Sequence, residues 1–213
     1  MTTYGFLHTA DVHRAVFDHL LADISPGDHA VHIVDVSLLT DARRRGGVDD
    51  DLRARIGAHI GALTGRGARR VVCTCSTIGA ASEEIGATLG AAVERVDRPM
   101  ARRAVTSGER IAIVAAVEST VAPTRLLLVQ AAEAAQRRVE LIDSPCPDAW
   151  ALWEAGDHDG YLARLAAHLV AIDGSVDVIV LAQASMAPLQ DRVRLRSVLL
   201  TSPRLAVEDL VTH

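Results

Sequence analysis

The sequence predicts an α/β protein made of two similar parallel-sheet halves facing each other across a central cleft. Three observations predict it. Short apolar runs alternate with helical patterns along the whole chain, as parallel strands joined by helical crossovers require. The scheme restarts near the middle, at Ser107-Gly108. In both halves, strands end in small polar residues just ahead of a helix: Cys75-Ser76-Thr77, Glu118-Ser119-Thr120 and Gln183-Ala184-Ser185.

The elements follow in order. Tyr4 to Leu7 reads as a short strand ending at His8-Thr9. Asp11 to Ala22 carries a helical apolar pattern through Val12, Ala15, Val16, Leu20 and Leu21, broken by Ser25-Pro26-Gly27-Asp28. His29 to Val36 is a second strand, followed by a polar loop. Asp49 to Thr64 is a helix capped by its aspartate run and ended near Gly65 and Gly67. Val71-Val72-Cys73 is a buried strand leading into Cys75-Ser76-Thr77 and a helix from Ala80 to Leu89. Val93 to Val96 is a short strand, and Pro99 sits in the first turn of the next helix. Arg110 to Val117 is a buried strand ending in Glu118-Ser119-Thr120. A helix with Pro123 in its first turn runs to about Arg137. Val139 to Ile142 is a strand, and Ser144 to Pro147 a turn. Two helical segments follow, with Trp150 and Trp153 on one face. Val176 to Leu181 is another buried strand, Val198 to Leu200 the last one, and Ser202-Pro203 opens a final helix. The expected organisation is residues 1–107 as the first half, 108–200 as the second, and 201–213 as a helix packing back on the first.

Composition sets limits. With 213 residues and 49% hydrophobic side chains, a sizeable core can form. Aromatics are only 3%, so aliphatic residues and alanine must fill it. The net charge is −5, and Arg43-Arg44-Arg45 is answered at once by Asp49-Asp50-Asp51, the pattern of a solvated surface loop. Nucleic-acid binding wants a basic footprint that is missing. Three cysteines in a chain this long do not suggest a disulfide framework, and a reducing compartment fits better. Nothing in the N-terminal stretch resembles a signal peptide, and no run approaches a membrane span. The expectation is a soluble, cytoplasmic protein without a membrane or nucleic-acid partner. Metal binding has weak support: His29 and His32 point to opposite faces of a strand, His13 and His19 are poorly spaced on a helix, and Cys73-Thr74-Cys75 has no partner pair.

Chemistry concentrates at Arg70 to Ala80, RVVCTCSTIGA. Ligands of open α/β sheets bind beyond the carboxyl ends of strands. A helix start there favours an anion and lowers the pKa of a thiol. Cys75 is therefore a candidate nucleophile or proton donor with Ser76 and Thr77 beside it, though cysteine often only packs and Ser or Thr often only caps. Cys73 belongs to the core. His8 and Thr9 reach the same edge, as ligand contacts or caps. Glu118 ends an otherwise apolar strand; buried there it would hold a proton, and as a cap-region carboxylate it would not. No phosphate-loop or dinucleotide fingerprint is present.

Three segments together resemble the aspartate/glutamate/hydantoin racemase superfamily, which includes maleate isomerases and arylmalonate decarboxylases. Val71 to Ala80 is similar to its first cysteine motif. Ile111 to Thr124 looks like the opening of its second half. Asp177 to Ala187, DVIVLAQASMA, resembles its second cysteine motif. The resemblance implies two α/β halves around a cleft, no cofactor and no metal, a small carboxylate substrate and homodimers. It implies that Cys75 is the first-half catalytic thiol. Ser76, Thr77 and Thr120 would hold the substrate carboxylate, His8 and Thr9 the place of the first polar loop, with Glu118, Ser119 and Ser185 as further contacts. Where the family has its second cysteine this chain has Gln183. An amide is neither acid nor base at useful pKa, so two-thiol racemisation is not expected. One-thiol isomerisation, decarboxylation, or ligand binding without catalysis are the readings left, with Gln183 binding substrate or fixing an oxyanion.

Overall fold

A computed structural model describes residues 1–212. They form two compact units: Met1–Arg98 with the C-terminal segment from Pro203, and Pro99–Ser202. The first contains β1 (Thr3–His8), α1 (Val12–Ile24), β2 (His29–Val34), α2 (Ser37–Arg45), α3 (Asp50–Gly65), β3 (Arg70–Cys73), α4 (Ser76–Leu89) and β4 (Val93–Arg95). The second contains α5 (Arg98–Ser107), β5 (Arg110–Ala115), α6 (Val121–Ala134), β6 (Glu140–Pro145), α7 (Pro147–Glu154), α8 (His158–Ile172), β7 (Val178–Leu181), α9 (Leu189–Arg192) and β8 (Val198–Leu200). Most of α10 (Ser202–Thr212) belongs to the first unit.

Each unit holds one four-stranded, fully parallel sheet, in the orders β2-β1-β3-β4 and β6-β5-β7-β8. The predicted α/β class with parallel sheets is what the chain adopts. The two orders are the same winding used twice. In each, the chain leaves the central pair of strands in opposite directions, which opens a crevice at their carboxyl ends.

In the first unit the two sheet faces have separate cores. Leu7, Val71 and Cys73 pack under Leu52, Ile56 and Ile60 of α3 and Ile78 and Ile85 of α4. Tyr4, Phe6 and Val72 pack under Phe17 and Leu21 of α1, with Ala206, Val207 and Leu210 of α10. Alternation along the strands sends neighbours to opposite faces, and both faces are covered. In the second unit Ala112, Val114, Ile179 and Leu181 pack against Tyr161, Leu165 and Leu169 of α8.

Sequence expectations change at two helices. The segment after β2 is a helix rather than a polar loop: α2 buries Leu38 and Ala42 and ends at Gly46, whose φ of 75° is left-handed. The arginines of its last turn complement the helix dipole, and Arg45 reaches Asp49 at 2.7 Å and Asp51 at 3.0 Å. Helix α1 is rotated from its predicted face. It buries His13, Phe17 and Leu21, one every four residues, and leaves Val12 48% and Val16 37% exposed. Phe17 buries more area than either valine, and its tilted packing against Phe6 (ring centroids 5.1 Å apart, planes at 42°) sets the face. Among the described residues, no helix is long and apolar enough to cross a membrane, and no group of three or more His, Cys, Asp or Glu side chains could hold a metal ion.

Candidate active site

The crevice of the first unit lies between the β1–α1 and β3–α4 connections. Cys75 stands two residues beyond β3 and is the N-cap of α4, its backbone still extended (φ −119°, ψ 114°). Its sulfur accepts hydrogen bonds from the hydroxyls of Thr9 and Thr77 and from the backbone N–H groups of Thr77 and Ile78. The Thr9 bond spans the crevice from the β1 side. The expectation of a lowered thiol pKa is overturned. Burial, which leaves Cys75 only 7% exposed, raises it and outweighs the four hydrogen bonds. The resting group is a thiol, poised to donate a proton. Cys73 is fully buried and pushed up to about 12 by that burial, as suits a core residue.

A buried frame supports the start of α4. The Arg95 guanidinium is bidentate to Asp97 at 2.6 and 2.8 Å, and one of its N–H groups points at the Ser76 carbonyl at 3.5 Å. The side chains of the pair are 3% and 1% exposed. Glu83 accepts from the Arg95 backbone at 3.1 Å and from the Arg98 Nε at 2.8 Å. Gly79 lies on this frame: a Cβ there would come within 2.9 Å of the Arg95 Cβ.

His8 is completely buried and both its ring nitrogens are occupied. Nδ1 is hydrogen-bonded to the Thr74 hydroxyl at 2.9 Å and Nε2 to Nδ1 of His32 at 2.8 Å, while His32 Nε2 meets Asp18 at 2.9 Å. Phe6 and Phe17 enclose the His8 ring. Burial, with the other histidines and Arg14 nearby, lowers its pKa to about 3. His8 thus has no ring nitrogen left for a ligand, whereas Thr9 faces the thiol. His13 is different. It is 9% exposed, and neither ring nitrogen has a partner. Burial lowers its pKa to about 4.

The second unit repeats the geometry with other chemistry. Gln183 stands two residues beyond β7, as Cys75 does beyond β3, with a similar extended backbone (φ −132°, ψ 136°). Its Oε1 accepts the N–H groups of Ala116 at 2.7 Å and Val117 at 2.9 Å, across the β5–β7 crevice. Those two donors identify the oxygen, so the amide NH₂ turns the other way. Thr120 donates to the Val117 carbonyl at 2.6 Å, and Ser185 is hydrogen-bonded to the Tyr161 hydroxyl at 2.8 Å. Ser119 is half-buried in the same turn. Glu118 is exposed, which removes the burial that the proton-carrying reading required. The hydroxyl of Thr124, in the first turn of α6, is buried without a partner.

The structure therefore gathers Thr9, Cys75, Ser76 and Thr77 at one crevice, and Gln183 with the β5 terminus at the equivalent one. Sequence reasoning missed Thr74 and Tyr161, and weighed His32 and His13 only as metal ligands. For His13 one signal was available: it shares the four-residue spacing of Phe17 and Leu21.

No protein-family model matches the chain, and neither does any curated protein. Solved structures do. Aspartate racemase from Picrophilus torridus aligns over 100% of this chain and 94% of its own with a TM-score of 0.78 at 10% identity. Glutamate racemase isoform RacE1 from Bacillus anthracis aligns over 99% and 80% with a TM-score of 0.70 at 15% identity. Allantoin racemase from Klebsiella pneumoniae aligns over 100% and 87% with a TM-score of 0.66 at 17% identity. The doubled parallel-sheet architecture is thus a racemase fold. More narrowly, it is the fold shared with these aspartate, glutamate and allantoin racemases.

Proposed function

We propose that this protein is a cofactor-independent isomerase of the racemase type that acts at a carbon of a small carboxylic acid, with Cys75 as its sole catalytic thiol. One observation carries the reading: at the carboxyl-edge crevice, a barely exposed thiol is held by Thr9, Thr77 and the first N–H groups of α4. The same helix start and hydroxyls offer a carboxylate the donors it needs. A protonated thiol in that field can give its proton to a carbanion, which is general acid catalysis. The named neighbours act on aspartate, glutamate and allantoin; the first two are small carboxylates, the class this donor set suits.

The experiment is deuterium incorporation from heavy water into a panel of amino acids, hydantoins, malonates and maleate. Cys75→Ala and Cys75→Ser should abolish incorporation and turnover while leaving the fold intact. Turnover retained in both variants would refute the assignment.

A second reading has its own observation. The oxygen of Gln183 accepts two backbone N–H groups and its amide is neither acid nor base at useful pKa, so the second unit supplies no acid or base at that position. This favours decarboxylation of a malonate-type acid, or carboxylate binding without chemistry. Carbon dioxide release, or saturable binding with no exchange anywhere in the panel, would mark these.

A further inference from the structure

We propose that His13 is the second proton-transfer group of the Cys75 site, meeting the substrate carbon from the wall of the crevice opposite the thiol. The proposal rests on the Cys75 reading and makes the reaction a two-sided proton transfer at one carbon, by a thiol and an imidazole.

The first support is an unexplained cost. A buried polar group without a partner loses its hydration and receives nothing back, about 1–3 kcal/mol. Among the described residues only His13 and Thr124 hold buried side-chain nitrogen or oxygen atoms in that state. Both sit in the first turn of the helix that follows the central strand of their sheet. Each such orphan in an otherwise satisfied interior calls for an explanation, of which a bound water or ion and a catalytic role are the usual ones. His8 cannot supply the missing partner. Its ring centroid lies 6.3 Å from that of His13, but both its nitrogens are taken by Thr74 and His32.

The second support is topological. The β1–α1 connection leaves toward the face covered by Phe17 and Leu21, and the β3–α4 connection toward the face covered by Ile78 and Ile85. The two connections are therefore opposite walls of one crevice, the place where open α/β sheets take their ligands. Cys75 opens α4 on one wall, and His13 lies in the first turn of α1 on the other. Thr9 and His8, adjacent in sequence, join the walls: one hydrogen-bonds the thiol and the other neighbours the imidazole.

The proton balance closes without a cofactor. Both groups are neutral at rest, because burial raises the thiol and lowers the imidazole. The His13 lone pair takes the hydrogen from one face of the carbon as a proton, and the electron pair stays on carbon. The Cys75 S–H bond breaks and its proton joins the other face. Imidazolium and thiolate remain. They run the reverse transfer on the opposite enantiomer, or reset by giving one proton to water and taking one from it.

A covalent probe tests this without knowing the substrate. Iodoacetate alkylates Cys75: the carbon–sulfur bond forms, iodide leaves, and the thiol proton is lost. This places a carboxylate in the crevice. Protein labelled with [¹⁵N]histidine then reports the ring nitrogens of His13, assigned by their absence in His13→Gln or His13→Phe. The expected result is a rise of the His13 midpoint by about one to three pH units in the carboxymethyl protein, as for any base gaining a nearby opposite charge. Iodoacetamide, which adds the same bulk without charge, should leave it in place. A Cys75 adduct with an unmoved His13 overturns this proposal alone, and so does an equal shift with both reagents. Failure to form any adduct even at alkaline pH, with Cys75 alkylated once the protein is unfolded, shows that no small carboxylate reaches the sulfur and overturns the Cys75 reading and this one with it.

Discussion

The side-chain oxygen of Gln183 lies 2.7 Å from the backbone nitrogen of Ala116, sixty-seven residues earlier in the chain. It also takes the Val117 N–H at 2.9 Å, so one oxygen closes both donors at the end of β5. Cys75 holds the corresponding place in the first unit and accepts its own ring of donors. The two positions share a backbone role, an acceptor two residues past a strand. They differ in that one side chain can release a proton and the other cannot.

This predicts unequal effects at position 183. Ala116 and Val117 are 3% and 2% exposed, so their N–H groups have little access to water. Gln183→Leu should cost about 1–3 kcal/mol for each orphaned donor. Gln183→Glu keeps an oxygen in the same place and should retain most of the stability. Urea unfolding of the three proteins decides it, and equal losses in both variants would show that the bonds to Ala116 and Val117 contribute nothing.

The Arg95–Asp97 pair should behave as a unit. Its members are buried, and removing one leaves the other charged without compensation. Asp97→Ala should cost about 3–5 kcal/mol. Replacing both residues with apolar ones of similar volume should cost less than the single change. A double-mutant cycle in thermal or urea unfolding measures this. Additive losses would mean the ion pair has no coupling.

Much of the fold was legible because parallel strands covered on both faces read as unbroken apolar runs: Val71-Val72-Cys73, Ile111 to Val117 and Val178 to Leu181. What escaped depends on partners far away in sequence. Helix α2 looked like a loop because only two of its nine residues, Leu38 and Ala42, are buried. The face of α1 was misread because Phe17 docks on Phe6, a contact that periodicity cannot supply. The Cys75 motif stood out as a strand end opening a helix. Its ionisation did not, because the helix start argued for a thiolate while the amount of burial was unknown. His8 looked like a ligand contact, but Thr74 comes to it only when β3 pairs with β1.

Gly79 is required by the close approach of α4 to Arg95. In Gly79→Ala the new methyl carbon would lie 2.9 Å from the Arg95 Cβ and 3.3 Å from its Nε. The neighbour on the near side is the stem of a buried, doubly bonded side chain, so it has little room to yield. A loss of about 1–3 kcal/mol is expected, typical of overpacking, although alanine is the better helix former by about 1 kcal/mol. Thermal unfolding should show it. A variant as stable as the parent would mean that the Arg95 frame shifts freely.

Acid should weaken the first unit earlier than its carboxylates alone would. His8 is lowered from 6.5 to about 3, mainly by burial, with His32, His13 and Arg14 adding to the effect. His13 is lowered to about 4 by burial. A histidine depressed in the folded state leaves stability intact above pH 6.5. As pH falls below 6.5 the unfolded chain takes up the proton first, so stability is lost down to the folded value. Each histidine then removes about 1.4 kcal/mol per pH unit, His13 down to about pH 4 and His8 down to about pH 3. Asp35 acts in a lower window. Burial tends to raise it, but hydrogen bonds from Ser37, His59 and Arg55 hold it below its ordinary 3.8, so its contribution falls away only below that value. Urea unfolding at pH 7, 6 and 5 should therefore show a steep decline in the parent. In His13→Gln the decline should be shallower by the share of one proton. Parallel profiles for the two proteins would show that the His13 ring is protonated in the fold as readily as outside it.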